Sequence, residues 1–188
     1  MLHKVSIAGL TIDPASNTPI IILKSVESDQ AVPIWIGLLE ATSIASALQN
    51  VKFDRPMTHD LFKNFSEMLD VTVVKVEVCD LRDSTFFARI YFQFKDGHFD
   101  MDARPSDAIA LALRFNAPIF TYKNILDKAG IYLKFTPKEE NEEHEESIIV
   151  DEVLSGEEKP SQLGGEDYRT YSLQELYSLL DGAVANED

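Results

Sequence analysis

The stretch from Val71 to Ala103, VTVVKVEVCDLRDSTFFARIYFQFKDGHFDMDA, constrains the fold of this chain more than any other. VTVVKVEVCDL is rich in β-branched residues, with Val71, Val73, Val76 and Val78 among its apolar positions. LRDS is a turn before STFFARIYFQF, a second, aromatic-rich run. GHFDMDAR then sets Phe99 and Met101 against Asp100 and Asp102. Apolar runs and period-two alternation joined by short polar turns read as adjacent antiparallel strands. The stretch therefore predicts a three-stranded meander.

The flanking segments add both element types. HKVSIAGLTI and PIIILKSV predict a hairpin around the turn signal DPASNTP, and AVPIWIG predicts a short third strand ending at Gly37. LLEATSIASALQNV places Leu38, Ala41, Ile44, Ala45 and Leu48 at helical spacing. THDLFKNFSEML predicts a second helix, capped by Thr58, with Leu61, Phe62, Phe65, Met68 and Leu69 on its apolar face. PSDAIALALRF predicts a third, with Pro105 pre-set for the first turn. PIFTY reads as a strand, KNILDKAG as a short helix ended by Gly130, and IYLKF as a last strand. Strands dominate first and then mix with helices. This predicts an α+β fold with a mixed, largely antiparallel β-sheet packed with about three to four helices. The folded domain is expected over residues 1–137.

Beyond Pro137 the composition changes. Residues 138–188 hold 3 Lys and Arg against 16 Asp and Glu, whereas residues 1–137 hold 14 against 16. The net charge of −15 is thus a property of the tail, and it says little about what the near-neutral body binds. Residues 138–171 are expected to form an acidic, flexible linker. Residues 172–184 are expected to form a terminal helix with Leu173, Leu176, Tyr177, Leu179 and Leu180 on one face. The one cysteine, Cys79, cannot form an internal disulfide and fits a reducing, cytoplasmic setting. The first residues do not read as a signal peptide, and no apolar run approaches the roughly 20 residues of a spanning helix, so no membrane contact is expected.

Two segments share one grammar. RPMTHDLF and DARPSDAIALAL each set Arg-Pro, a hydroxyl residue and an aspartate in front of apolar residues. Helix starts carry free N–H groups and a partial positive charge, which suits an anion. Arginine can clamp a phosphate through two parallel hydrogen bonds. The structural reading is equally direct. Thr58 and Ser106 are ordinary capping residues, Asp60 and Asp107 are ordinary first-turn acids, and Arg55 with Asp60 or Arg104 with Asp107 can form internal ion pairs. His3, His98 and His144 show no ligand spacing, and no phosphate-binding or dinucleotide glycine motif occurs. Trp35 is expected in the core or an interface, and FARIYFQF lacks the glycine and basic residues of aromatic RNA-binding strands.

PIWIGLLEATSIASAL, RPMTHDLF and DARPSDAIALAL, in this order and spacing, resemble the bifunctional nuclease family. The resemblance runs from the first strand to Gly130. It implies a compact α+β domain that self-associates, with a dimer favoured, and cleavage of both RNA and DNA. Some members add an excision-repair-type helical hairpin at the C-terminus, whereas this tail is acidic.

Phosphodiester cleavage requires charge neutralisation on the phosphate, an activated water and help for the leaving oxygen. A divalent metal, Mg²⁺ or Mn²⁺, can supply all three when carboxylates hold it. Asp60, Asp102 and Asp107 are the candidate metal ligands and catalytic acids, with Glu40 further out. His59 is the candidate acid or base, since imidazoles exchange protons near neutrality. Arg55, Arg104, Thr58 and Ser106 are the candidate substrate contacts. Lys52, Lys63 and Arg114 are candidates to extend a basic surface. The expectation is a metal-assisted nuclease acting on RNA or DNA. The alternatives are a non-catalytic anion or nucleotide binder using the same helix starts, or an oligomeric scaffold.

Overall fold

The computed structural model describes residues 1–134 and 149–151. Three strands open the chain: β1 (Leu2–Asp13), β2 (Thr18–Ser25) and β3 (Gln30–Trp35). Two helices follow, α1 (Leu38–Leu48) and α2 (Thr58–Met68). The meander is β4 (Val71–Arg82), β5 (Thr85–Phe94) and β6 (Gly97–Ala103). Then come α3 (Pro105–Phe115), β7 (Ile119–Tyr122), α4 (Lys123–Ala129), β8 (Ile131–Lys134) and β9 (Ile149–Asp151). The expected α+β architecture is present, with each element of the body within a few residues of its sequence-derived position. The short β9 falls inside the stretch expected as linker. The rest of that linker and the terminal helix expected over 172–184 lie outside the described residues.

All strands join one sheet in the order β6-β5-β4-β7-β1-β2-β3-β8-β9. Every pairing is antiparallel except β4 with β7. The β4–β5 turn holds Asp83 and Ser84 both at positive φ, 46° and 59°, a two-residue hairpin geometry that follows strand twist. β7 is the seam of the molecule. Its Ile119 faces Val76 of β4 on one side and Val5 of β1 on the other, so this four-residue strand joins the two antiparallel halves. α3 supplies the crossover between β6 and β7 and is ended by Asn116 in the left-handed conformation, φ 53°.

The helices cover one face. Ile21, Leu23, Val32, Ile44, Val76, Val78, Phe92, Ile109 and Ile125 form its buried centre. α3 buries Ile109 and Leu111, each worth about 1.5–3 kcal/mol of burial. Its Ala108, Ala110 and Ala112 are buried as well and let α1 pack closely. α2 is different. Only Phe62 of its predicted apolar face joins the core, while Leu61, Phe65, Met68 and Leu69 are exposed. The apolar stripe of α2 is therefore not spent on its own core. Among the described residues, no helix is long and apolar enough to cross a membrane.

Candidate functional site

The starts of α1, α2 and α3 are tied together by side chains. Arg104 precedes Pro105, which biases it to extended backbone; it sits at φ −67°, ψ 146° and forms the N-cap position of α3. Its guanidinium forks onto Asp107, with Nε donating to Oδ2 at 2.7 Å and Nη2 to Oδ1 at 3.0 Å. Nη1 reaches Glu40 Oε1, in the first turn of α1, at 2.8 Å. Asp107 Oδ1 also meets His59 Nε2, in the first turn of α2, at 3.1 Å. The other ring nitrogen, Nδ1, lies 2.9 Å from Ser43 Oγ on α1. Glu40, Arg104, Asp107, His59 and Ser43 thus form one chain of contacts across three helices.

The charges fix the protons in that chain. Burial pushes the Asp107 carboxyl up, but the hydrogen bonds from Arg104 and His59 outweigh it, and the group lies below the ordinary carboxylate value. An ionised Asp107 can only accept, so Nε2 of His59 carries a proton and donates. Nδ1 then accepts from Ser43 in the neutral ring or donates to it in the cationic one. Ser43 is 1% exposed. The arrangement copies a serine–histidine–aspartate relay, but a hydroxyl this deep is closed to substrate and serves to hold the ring. Neighbouring Thr42 and Ser46 instead bond back onto their own helix carbonyls. Arg104 is the open member, with its side chain 65% exposed.

A second link lies further along α3. Arg114 Nε donates to Asp60 Oδ1 at 2.6 Å, and Nη1 donates to the Ser43 and Ala110 carbonyls. Asp60 Oδ2 accepts the Met57 N–H at 2.9 Å, closing the first turn of α2. Met57, not Thr58, is therefore the N-cap of α2. Burial pushes Asp60 up, and the Arg114 and Met57 hydrogen bonds more than offset it, leaving the carboxyl low.

The sequence candidates separate into groups. His59, Asp107 and Arg104 meet, and Glu40 joins them. Ser106, 5% exposed, lies between Arg104 and Asp107 in the first turn of α3. Asp60 turns away to Arg114. Asp102 lies opposite Arg89 on β5, on the sheet face away from Phe99 and Met101. Arg55 and Thr58 are exposed, and their side chains make no hydrogen bond or ion pair among the described residues. Arg114, expected on a basic surface, is 7% exposed and neutralised internally, and Lys63 pairs with Glu67.

The three carboxylates proposed for a divalent metal do not converge. Asp60 and Asp107 are each held by a guanidinium, Asp102 projects from the other face, and among the described residues no three His, Cys, Asp or Glu side chains are grouped to hold an ion. Spread in this way, the donor set does not fit Mg²⁺ or Mn²⁺, which need several oxygen ligands around one point.

Sequence reasoning did not single out Ser43, and it placed Trp35 in the core or an interface, whereas the ring is half exposed. Ser43 sits among small residues in TSIAS, where nothing marks one hydroxyl from its neighbours. Trp35 is 49% exposed and lines a cleft of about 300 Å³ with Gly37, Phe86, Arg104 and Ser106.

Residues 21–134 match the bifunctional nuclease domain. The chain belongs to the bifunctional nuclease domain family. It is 33% identical over 168 residues to an uncharacterized protein of Mycobacterium tuberculosis, an overlap that covers 89% of this chain and 99% of that one. It is 26% identical over 132 residues to Bifunctional nuclease 1 of Oryza sativa subsp. japonica, covering 68% of this chain and 40% of that protein. Bifunctional nuclease 2 of Arabidopsis thaliana is 27% identical over 103 residues, 53% of this chain and 31% of that one. The chain thus spans less than half of either plant protein. Every residue from Glu40 to Arg114 in the two networks lies inside the part that matches the bifunctional nuclease domain.

Proposed function

We propose that this protein is a cytoplasmic nuclease that hydrolyses phosphodiester bonds of RNA or DNA, using Arg104 for the phosphate and the His59–Asp107 pair for the proton. The observation that carries this reading is the contact at the start of α3, where an exposed guanidinium and a largely buried imidazole share one carboxylate. A phosphate approaching that helix start competes with Glu40 for Arg104 and gains the dipole of α3. Asp107 keeps Nε2 of His59 protonated and oriented, and Ser43 holds the ring from the other side. Nδ1 faces the buried Ser43, so the Nε2–H is the proton an acid catalyst delivers, and it passes to the leaving oxygen of the substrate when the Asp107 contact opens.

The test is cleavage of single- and double-stranded RNA and DNA, with and without Mg²⁺ or Mn²⁺. His59→Gln is expected to lower the rate about 10²–10⁴-fold, the usual span for losing a positioned acid or base. Cleavage that survives both His59→Gln and Arg104→Ala defeats the proposal.

A non-catalytic reading has its own support. Both ring nitrogens of His59 already have partners, and each carboxylate in the network meets a cation. In that reading the helix starts hold an anion without breaking it, and nuclease assays stay blank while binding persists.

Self-association belongs to the same proposal. β6 is an edge strand, and its Phe99 and Met101 are exposed at 44% and 48%. An edge that is apolar and unpaired invites a second copy, since antiparallel pairing of like strands closes with two-fold symmetry.

A further inference from the structure

We infer that the cleft beside α3 binds a single nucleotide unit, with its base against Trp35 and its phosphate on Arg104 and Ser106, in the place now taken by the Glu40 carboxylate. This deepens the nuclease reading and rests on it for Arg104 alone.

Two helices of 11 residues open onto the cleft. Gly37 is the N-cap of α1 and Arg104 the N-cap of α3, and neither helix has a side-chain cap. Two partial positive charges and one guanidinium therefore face the same space. Ser106 lines it and is 5% exposed, yet its hydroxyl makes no hydrogen bond among the described residues. It is not sealed from solvent either, so the exposed remnant of Ser106 includes the hydroxyl. A side chain that is otherwise buried and opens only into the cleft sets its hydroxyl where a ligand in the cleft can take the place of water.

Glu40 shows what kind of ligand. Its carboxylate lies against Gly37, so close that a Cβ there would sit 2.2 Å from Oε2, and it bonds Arg104 at 2.8 Å. An anionic group of the protein already occupies the meeting point of the two helix starts. A phosphate carries more charge and more acceptor oxygens, and Glu40 ends a flexible side chain that can leave.

The cleft has a second, aromatic wall. Trp35 is anchored by its Nε1–H to Asp13 Oδ2 at 3.2 Å, which fixes the ring while leaving it half exposed. Phe86 lines the same cleft. Aromatic faces hold unpaired bases of any sequence. A base in a cleft of about 300 Å³ must be out of its duplex stack, so the substrate class is single-stranded nucleic acid or a free mononucleotide.

Trp35 is the sole tryptophan of the chain, so fluorescence excited beyond the absorption of its tyrosines reports this site alone. The full-length protein is titrated with AMP, with adenosine and inorganic phosphate as half-ligands. AMP is expected to quench saturably, with weaker effects from each half. Arg104→Ala should weaken AMP binding at least about tenfold, the scale of a lost charged hydrogen bond. Glu40→Gln should strengthen it several-fold by removing the competing anion. No saturable quench at millimolar AMP, or binding indifferent to both substitutions, overturns the inference. AMP binding without any cleavage keeps the site and ends the nuclease reading; cleavage without AMP binding does the reverse.

Discussion

Replacing Arg114 with methionine tests whether α1, α2 and α3 are held in register by one buried cation. The side chain is 7% exposed and bridges Asp60 on α2 to the Ser43 carbonyl on α1. Methionine fills similar space without donors. Losing one partner of a buried ion pair costs about 3–5 kcal/mol, but the Asp60 side chain is 35% exposed, so water recovers part of this. The two carbonyls belong to helices and have other partners, so they add little. A loss of roughly 2 kcal/mol is expected, equal to a melting temperature lower by about 4–8 °C for a chain of this size. The effect depends on pH. Asp60 is lowered in the folded protein from 3.8, so its contribution is present above that value and lost as pH falls through the folded value. The gap between wild type and Arg114→Met should therefore be full near neutrality and shrink below about pH 4. Differential scanning calorimetry across that range, with Asp60→Asn added as a double-mutant cycle, reads both quantities. Equal melting temperatures at neutral pH, or a gap that does not shrink in acid, would falsify the reasoning.

Two other outcomes follow from different parts of the sheet. Glu77 is 2% exposed and accepts from Lys75 at 2.6 Å, Tyr91 at 3.0 Å and Tyr122 at 3.2 Å. Burial first and the Glu77 hydrogen bond second push Tyr91 up from 10.0 to about 12. Glu77→Gln should bring the Tyr91 midpoint down in an ultraviolet pH titration but leave it above 10.0, because the burial contribution stays. At the sheet edge, Phe99→Lys with Met101→Lys should convert any oligomer to monomer in sedimentation velocity, with the fold intact by circular dichroism. A wild-type protein that is already monomeric at high concentration rules out that interface.

The sequence was most informative where structure is set locally. The meander from Val71 to Ala103 was legible because alternation and short turns act over a few residues, and Asp83 and Ser84 take the left-handed geometry the turn needs. Pro105 marked the start of α3 for the same reason. Partner choice was not legible. Asp60 could have paired with Arg55 five residues away, yet it meets Arg114 across 54 positions. His59 meets Asp107 across 48. Those pairings follow from how α2 lies on α3, and no local pattern encodes a helix crossing. The same limit explains α2 itself. Its residue spacing marks an apolar stripe but not the surface that receives it, and only Phe62 of that stripe faces the core.

The internal pairing also bears on how a body of near-zero net charge can serve a polyanion. Arg114 is spent inside, Arg89 is taken by Asp100, and Arg82 by Asp80. Among the described residues, Arg104 alone is a guanidinium at the cleft, and it is shared between Glu40 and Asp107. Nucleic-acid affinity built on many neutralised phosphates is therefore not available at this site. What the site offers instead is one guanidinium beside one aromatic wall, at the convergence of two helix starts. On the proposed reading, that combination favours a single unpaired nucleotide over a long duplex, with Asp107 and His59 behind the guanidinium that would receive the phosphate.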